Sequence, residues 1–162
     1  MASDFNVAIS AYSLILSALS IAVLLGVMVY NIREGWPWQT IVLAILIFAL
    51  IAGTLFYMPL SVSVDGKNLK VRRCLKSTVI PLSDIESVRL CRPTMGERRI
   101  CGSGGWFGYW GWFRERDLGK YFAYYGKASD CFFVRLKNGR QYMLGCTDPQ
   151  PMVDYIENRI RQ

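Results

Sequence analysis

Five cysteines, at positions 74, 91, 101, 131 and 146, one serine in a Gly-Ser-Gly-Gly turn and two close carboxylate pairs are the chain's candidates for chemistry. None has the partner its chemistry needs. The 162 residues include no histidine, which excludes a Ser-His-Asp or Cys-His nucleophile, a His-ligated zinc and an imidazole proton shuttle. Ser103 would need a lysine as base, and no spacing selects one. Glu115 with Asp117, and Asp84 with Glu86, stand two apart, so each pair would share one face of a strand. The first pair alternates with Arg114 and Arg116, the pattern of surface salt bridging. An odd number of cysteines without C-x-x-C spacing fits reduced thiols packed as small hydrophobes. No catalytic residue, cofactor or metal is expected, and binding is the default.

The densest unusual segment runs from Gly102 to Phe113, with five glycines and six aromatics in twelve residues. Glycines 105, 108 and 111 are each followed by two aromatics, a period of three that matches neither strand nor helix. The G-x-G-x-x-G pattern begun at Gly102 fails at Phe107, and no Lys-Ser/Thr follows, so a phosphate loop is excluded. The segment reads as a loop whose Trp106, Phe107, Tyr109, Trp110, Trp112 and Phe113 cover the protein or make a subunit contact. The competing reading places them at a lipid interface, where Trp and Tyr concentrate. A second set of candidate contacts is basic: Lys67, Lys70, Arg72 and Arg73, then Arg98 and Arg99. On alternating strand faces Lys70 and Arg72 point together, and Arg73 points with Leu69 and Val71. Beside anionic lipid each near-surface cation contributes about 1 kcal/mol. Nucleic acid is not an expected partner, because no recognition module accompanies the charge.

The elements that must position these residues divide sharply by charge. Residues 1–60 carry only Asp4, Arg33 and Glu34, whereas residues 61–162 carry eighteen basic and ten acidic side chains, a net of +8. Two chargeless stretches, Phe5–Ile32 and Gly35–Val64, each exceed the roughly 20 apolar residues a spanning helix needs. The expected organisation is a cytoplasmic N-terminal tail (1–9), a first transmembrane helix (10–32), an outward loop (33–38), a second transmembrane helix (39–59) and a cytoplasmic domain (60–162). The cations that follow the second helix set this orientation. A cleaved signal peptide fits less well, since the start lacks a basic region and no cleavage site precedes Tyr30. Ala18, Ala22 and Gly26, with Ala49 and Gly53, have the spacing of helix-packing residues, within the hairpin or in a dimer. No ionisable residue lies inside either span, which argues against a transport path.

After Tyr57 the chain reads as short strands. Leu60, Val62 and Val64 alternate with serines, Asp65-Gly-Lys-Asn68 turns, and Leu69–Cys74 returns. Thr78–Leu82, Ile85–Cys91, Phe132–Leu136 and Arg140–Cys146 follow, the last two joined at Asn138-Gly139. Asp148-Pro149 begins a helix with Met152, Val153, Ile156 and Ile160 on one face. Six or seven antiparallel strands would form a partly open barrel closed by this helix.

The hairpin Leu60–Cys74, the stretch Val79-Ile-Pro-Leu-Ser-Asp-Ile-Glu-Ser-Val88, the Gly102–Phe113 segment with Gly119, Tyr121 and Tyr125, and the Asp148-Pro149 helix start resemble the bacterial pleckstrin-homology-like domain family, in its membrane-anchored branch. The resemblance covers 60–161. It implies a mainly-β pleckstrin-homology-like barrel with a C-terminal helix after a two-helix transmembrane hairpin, and a multi-pass place in the bacterial inner membrane. It also implies a non-catalytic binding or scaffolding module, with membrane lipids, a second copy or a partner membrane protein as its contacts. In lipid-binding pleckstrin-homology domains the first hairpin supplies cations to a phosphate pocket, so the alternative is anionic-lipid recognition by this hairpin and the aromatic segment. A membrane enzyme with a Ser-Lys or carboxylate pair is the remaining alternative.

Overall fold

A computed structural model describes residues 3–94 and 96–161. Helix α1 (Ala11–Arg33) starts at Ser10, whose hydroxyl accepts from the Ser13 amide at 3.2 Å. Helix α2 (Pro37–Tyr57) starts with proline in its first turn, where the missing amide proton costs nothing. Both are antiparallel neighbours across a short turn, in which the Tyr30 and Trp36 rings meet edge to face at 6.0 Å. Their burial pattern inverts that of a core helix. The buried residues of α1 are Ser13, Ser17 and Asn31, and that of α2 is Thr54. Most of the leucines, isoleucines and phenylalanines point outward, Ile15 at 68% and Phe48 at 72% exposed. These helices are long and apolar enough to cross a membrane.

The expected N-terminal tail contains a strand instead; the tail's first two residues lie outside the described ones. Strand β1 (Ser3–Asn6) pairs antiparallel with β2 (Pro59–Val64), which begins where α2 ends. Both ends of the helical hairpin are therefore fastened into one sheet, completed by β3 (Asn68–Arg73) and β4 (Ser77–Pro81) in the order β1-β2-β3-β4. The segment after β1 is held further where the Ser10 amide donates to Gly126 O at 3.0 Å and the Thr147 amide donates to Asn6 O at 2.9 Å. A one-turn helix (Leu82–Asp84) leads into a second sheet of β5 (Ile85–Leu90), β6 (Arg98–Gly105), β7 (Gly108–Glu115), β8 (Gly119–Tyr125), β9 (Cys131–Leu136) and β10 (Gln141–Gly145). Its order is β5-β9-β10-β8-β7-β6.

Among the described residues the domain thus has nine strands, β2 to β10, rather than six or seven. They are not all antiparallel, because β10 pairs parallel with β8. The short turn at Ala128–Asp130 carries the chain past one strand position, and β10 fills the slot. Val62, Val64, Leu69 and Val71 of the first sheet face Ile85, Phe132, Val134 and Leu144 of the second. Helix α3 (Pro149–Ile160) closes this core with Met152, Val153 and Ile156. A second apolar cluster lies on the other face of the larger sheet, around Phe113, Tyr121, Tyr125, Phe133 and Met143. Phe133 shares a strand face with Arg135, but it is buried because this cluster covers its end of that face.

Candidate functional site

The period of three glycines acquires its meaning from register. Gly102 to Phe113 is not a loop but the body of the β6–β7 hairpin, which turns through Trp106 and Phe107. A two-residue turn sets Gly105 opposite Gly108 and Gly102 opposite Gly111. All four have positive φ, between 103° and 128°. A Cβ at Gly102 would lie 2.2 Å from Trp110 O, and one at Gly111 would lie 2.2 Å from Cys101 O, so only glycine fits this close approach. Ser103 is buried and organises the turn: it accepts from the Trp106 amide at 2.9 Å and donates to the Trp106 and Gly108 carbonyls. Its hydroxyl faces backbone rather than a base.

The hairpin tip lies against the helices. The Trp106 indole donates to Thr54 Oγ1 at 2.7 Å, and the Phe107 amide donates to Ser17 Oγ at 2.9 Å. Trp110 stacks on Tyr57, centroids 5.3 Å apart, and faces Gly53. Two of the four polar residues buried in the helical hairpin, Ser17 and Thr54, are thus spent on the β-hairpin. Of the other aromatics, Tyr109 stacks on Tyr125 and Phe113 on Tyr121, both within the second cluster. Trp112 is 38% exposed, with the Lys120 ammonium 4.5 Å above its ring. The six aromatics therefore serve three places, not one patch.

Arg73 ties the same junction from below. It is the inward-facing cation of β3, only 9% exposed. It donates to Phe56 O at 3.1 Å, in the last turn of α2, and lies over the Tyr57 and Tyr124 rings at 5.9 and 5.3 Å. A cation there also meets the negative end of the helix dipole. Its role is internal, which removes it from the expected lipid contacts.

Of the other first-hairpin cations, Lys67 and Lys70 stand away from the helices, whereas Arg72 lies beside Arg73 at the returning end of β3. Strand β2 leaves the end of α2 and β3 returns to it, so the turn at Lys67 is the most distant point, about 17–20 Å away at 3.3 Å per residue. Lys70 pairs with Asp65 at 3.8 Å and Arg72 is exposed. At the distal end Lys67 lines a basin of about 580 Å³ with Lys137 and Arg159, beside Ser83 and without an acidic lining residue. Sequence reading missed Lys137 and Arg159, which come from the β9–β10 turn and the last turn of α3; each is an unremarkable terminal cation until the fold gathers them. Arg98 and Arg99 sit on the edge strand β6, Arg98 opposite Arg114.

Neither carboxylate pair converges. Glu86 faces Arg135 at 3.9 Å, while the Asp84 carbonyl accepts the Lys137 amide. Glu115 is not a surface salt-bridge residue: it is 3% exposed, and its Oε1 accepts the Thr94 amide at 3.0 Å. It faces inward with Phe113, because alternation on β7 outranks the run of charges around it. Near it Glu97 accepts from the Tyr121 hydroxyl at 2.5 Å and the Tyr125 hydroxyl at 2.9 Å. Burial pushes the Glu97 carboxyl up, against the lowering effect of these bonds, and pushes both phenols up as well. Burial likewise raises the Cys131 thiol and pushes the Cys146 thiol up to about 12.

The helix-packing residues fall largely elsewhere. Ala18, Ala22, Gly26 and Ala49 are exposed. The withdrawn side of α1 carries Ser13, Ser17 and Asn31 with half-buried Leu16, Leu24 and Met28. Only Gly53 packs, against Trp110.

No curated protein and no solved structure matches the chain to a significant degree. The family model described as "Bacterial PH domain" matches residues 60–160. That span holds the two sheets except β1 and the first residue of β2, and all of α3. The match covers well over half of the chain, and the two sheets closed by a helix have the corresponding architecture: the chain belongs to the bacterial pleckstrin-homology domain family.

Proposed function

We propose that this protein is a non-catalytic, membrane-tethered binding and scaffolding module, in which the helical hairpin spans the membrane twice and holds the pleckstrin-homology-like domain in a fixed orientation. Family membership supports a binding module. The observation that carries the tether is the docked hairpin tip: Trp106 on Thr54 and the Phe107 amide on Ser17. With the β1–β2 pairing and Arg73, it makes helices and domain one body rather than beads on a linker. The inverted burial of α1 and α2 supports lipid as their surroundings, since exposed apolar surface on this scale is not carried in water.

Such a body holds the Lys67–Lys137–Arg159 basin away from the bilayer. In this reading the basin meets an anionic group on a partner, and the exposed helix faces serve contact with a second copy or another membrane protein. The cations after α2 support a cytoplasmic side for the domain. Alkaline extraction of membranes, followed by labelling of the exposed Cys74 and Cys101 with an impermeant maleimide, tests this. The chain should stay in the membrane pellet and be labelled only after the inner membrane is opened. Release by alkali would overturn the tether, and labelling in intact spheroplasts would overturn the orientation.

A second reading, recognition of anionic lipid, is favoured by one observation: the edge strand that approaches the helices carries Arg98 and Arg99, and Arg99 reaches the cleft between them.

A further inference from the structure

The docked tip sits deep. Ser17 lies six residues into α1 and Ser20 nine, about 9 and 13 Å along the axis at 1.5 Å per residue. Helix α1 itself, at 23 residues, is about 34 Å long, against a hydrocarbon core of about 30 Å. With Arg33, Trp36 and Trp38 at the far interface, the tip of β6–β7 lies below the near headgroups, inside the proximal leaflet. Beside it is a cleft of about 350 Å³, bounded by Leu16, Ser20, Ala49 and Leu50 on the helices and by Arg99 and Trp106 on the hairpin. Through Leu50 and Trp106 it adjoins a wholly apolar hollow of about 210 Å³ that ends among Leu24, Ile47 and Ile51. The mouth is cationic and the interior aliphatic.

Arg99 is brought there by the fold. The register of β6 shifts between Arg99 and Cys101, and the Arg99 side chain approaches Gly104 near the tip. Among the described residues no carboxylate pairs with it; on the paired strand it stands opposite Phe113, while Arg98 beside it stands opposite Arg114. An exposed guanidinium at this depth is costly unless an anion comes to it, and guanidinium matches phosphate in a two-bond geometry.

We propose that this cleft binds one anionic glycerophospholipid, its phosphate on Arg99 and an acyl chain along Leu50 and Trp106 into the hollow between α1 and α2. The proposal rests on the membrane-spanning reading above. It differs from the distal basin in place and in ligand, because the basin faces away from the host bilayer.

The test uses the full chain with Trp36, Trp38 and Trp112 replaced by Phe, leaving Trp106 and Trp110 as the emitting indoles. The protein is reconstituted in vesicles of phosphatidylcholine containing a brominated-acyl lipid, either phosphatidylglycerol or phosphatidylcholine. Bromines in the cleft quench Trp106. Brominated phosphatidylglycerol should reach half-quenching at a mole fraction about fivefold lower than brominated phosphatidylcholine, the ratio that corresponds to one near-surface cation. Arg99→Ala should erase that ratio. Ala49→Phe, which fills the cleft from the helix side and leaves Arg99 in place, should erase it too. Equal quenching by both lipids in the parent, or a ratio that survives either substitution, overturns the site while leaving the tether intact. Absence of quenching by either lipid overturns the membrane-spanning reading itself.

Discussion

Replacing Gly111 with alanine should unhinge the β6–β7 hairpin, and with it the junction of domain and helices. Two costs add. At φ 124° an L side chain is confined to sparsely populated backbone, at about 1–3 kcal/mol. The new Cβ would lie 2.2 Å from Cys101 O and 2.7 Å from Gly102 Cα. Both are backbone atoms of the paired strand, so the strands must part, at about 1–3 kcal/mol as for overpacking. A loss of about 2–6 kcal/mol is a large share of the 5–15 kcal/mol typical of a domain. For about 100 residues it corresponds to a fall of roughly 10 °C or more in Tm. Thermal unfolding of the full chain in mild detergent, followed by near-ultraviolet circular dichroism of the stacked Trp110 and Tyr57, reads the loss directly. Gly66→Ala is the control: nothing lies within 4 Å of its Cβ position, and its Tm should stay within about 2 °C, as for a surface site. If Gly111→Ala melts like Gly66→Ala, the close glycine pairing does not hold the hairpin and the reasoning fails.

Arg73→Met keeps the aliphatic stem but removes the hydrogen bond to Phe56 O and the charge over two rings. It should lower stability by about 1–3 kcal/mol, and Arg73→Lys by less; equal stability of all three in thermal unfolding would refute the junction role. Glu97→Gln tests the buried carboxyl by pH. Because burial raises its folded pKa above the ordinary 4.5, the wild type carries this group's full contribution only below that value, and loses it as pH rises through the raised folded pKa. The Tm of Glu97→Gln minus that of the wild type should therefore rise between acid and neutral pH, and a difference that falls instead contradicts the burial argument. In the native protein Cys131 and Cys146, buried and with raised pKa, should resist maleimide at pH 8 while Cys74 and Cys101 react, as peptide mass spectrometry would show; uniform labelling would mean that the sheet opens.

Much of this architecture is legible in the linear chain because it rests on local patterns. Charge-free length marks α1 and α2, alternation marks β2 and β9, Asp65-Gly66 and Asn138-Gly139 mark turns, and Asp148-Pro149 marks the start of α3. The inward face of Arg73 also follows from a period of two. Those signals depend on neighbours within a few residues, where backbone sterics and side-chain direction act. They do not extend to β1, whose four residues have no strand character of their own and become a strand because β2 offers an open edge.

The aromatic segment shows where sequence stops. A glycine every third residue contradicts strand periodicity until a two-residue turn folds the period onto itself and sets glycine against glycine. The turn and the register are properties of two strands together. Glu115 reads as a surface charge beside Arg114 and Arg116, yet faces inward, because the pleat of β7 is fixed by its pairing with β8. Lys67, Lys137 and Arg159 come from three separate turns and termini, and Arg99 shares a cleft with Leu50 only because the β6–β7 hairpin docks on the helices. The sequence by itself determined that this chain has two apolar helices, a basic β domain and no imidazole chemistry. Only the tertiary structure decided which cations lie beside the helices and which lie away from them, since direction in space comes from how β2 leaves α2 and how the β6–β7 hairpin returns to it.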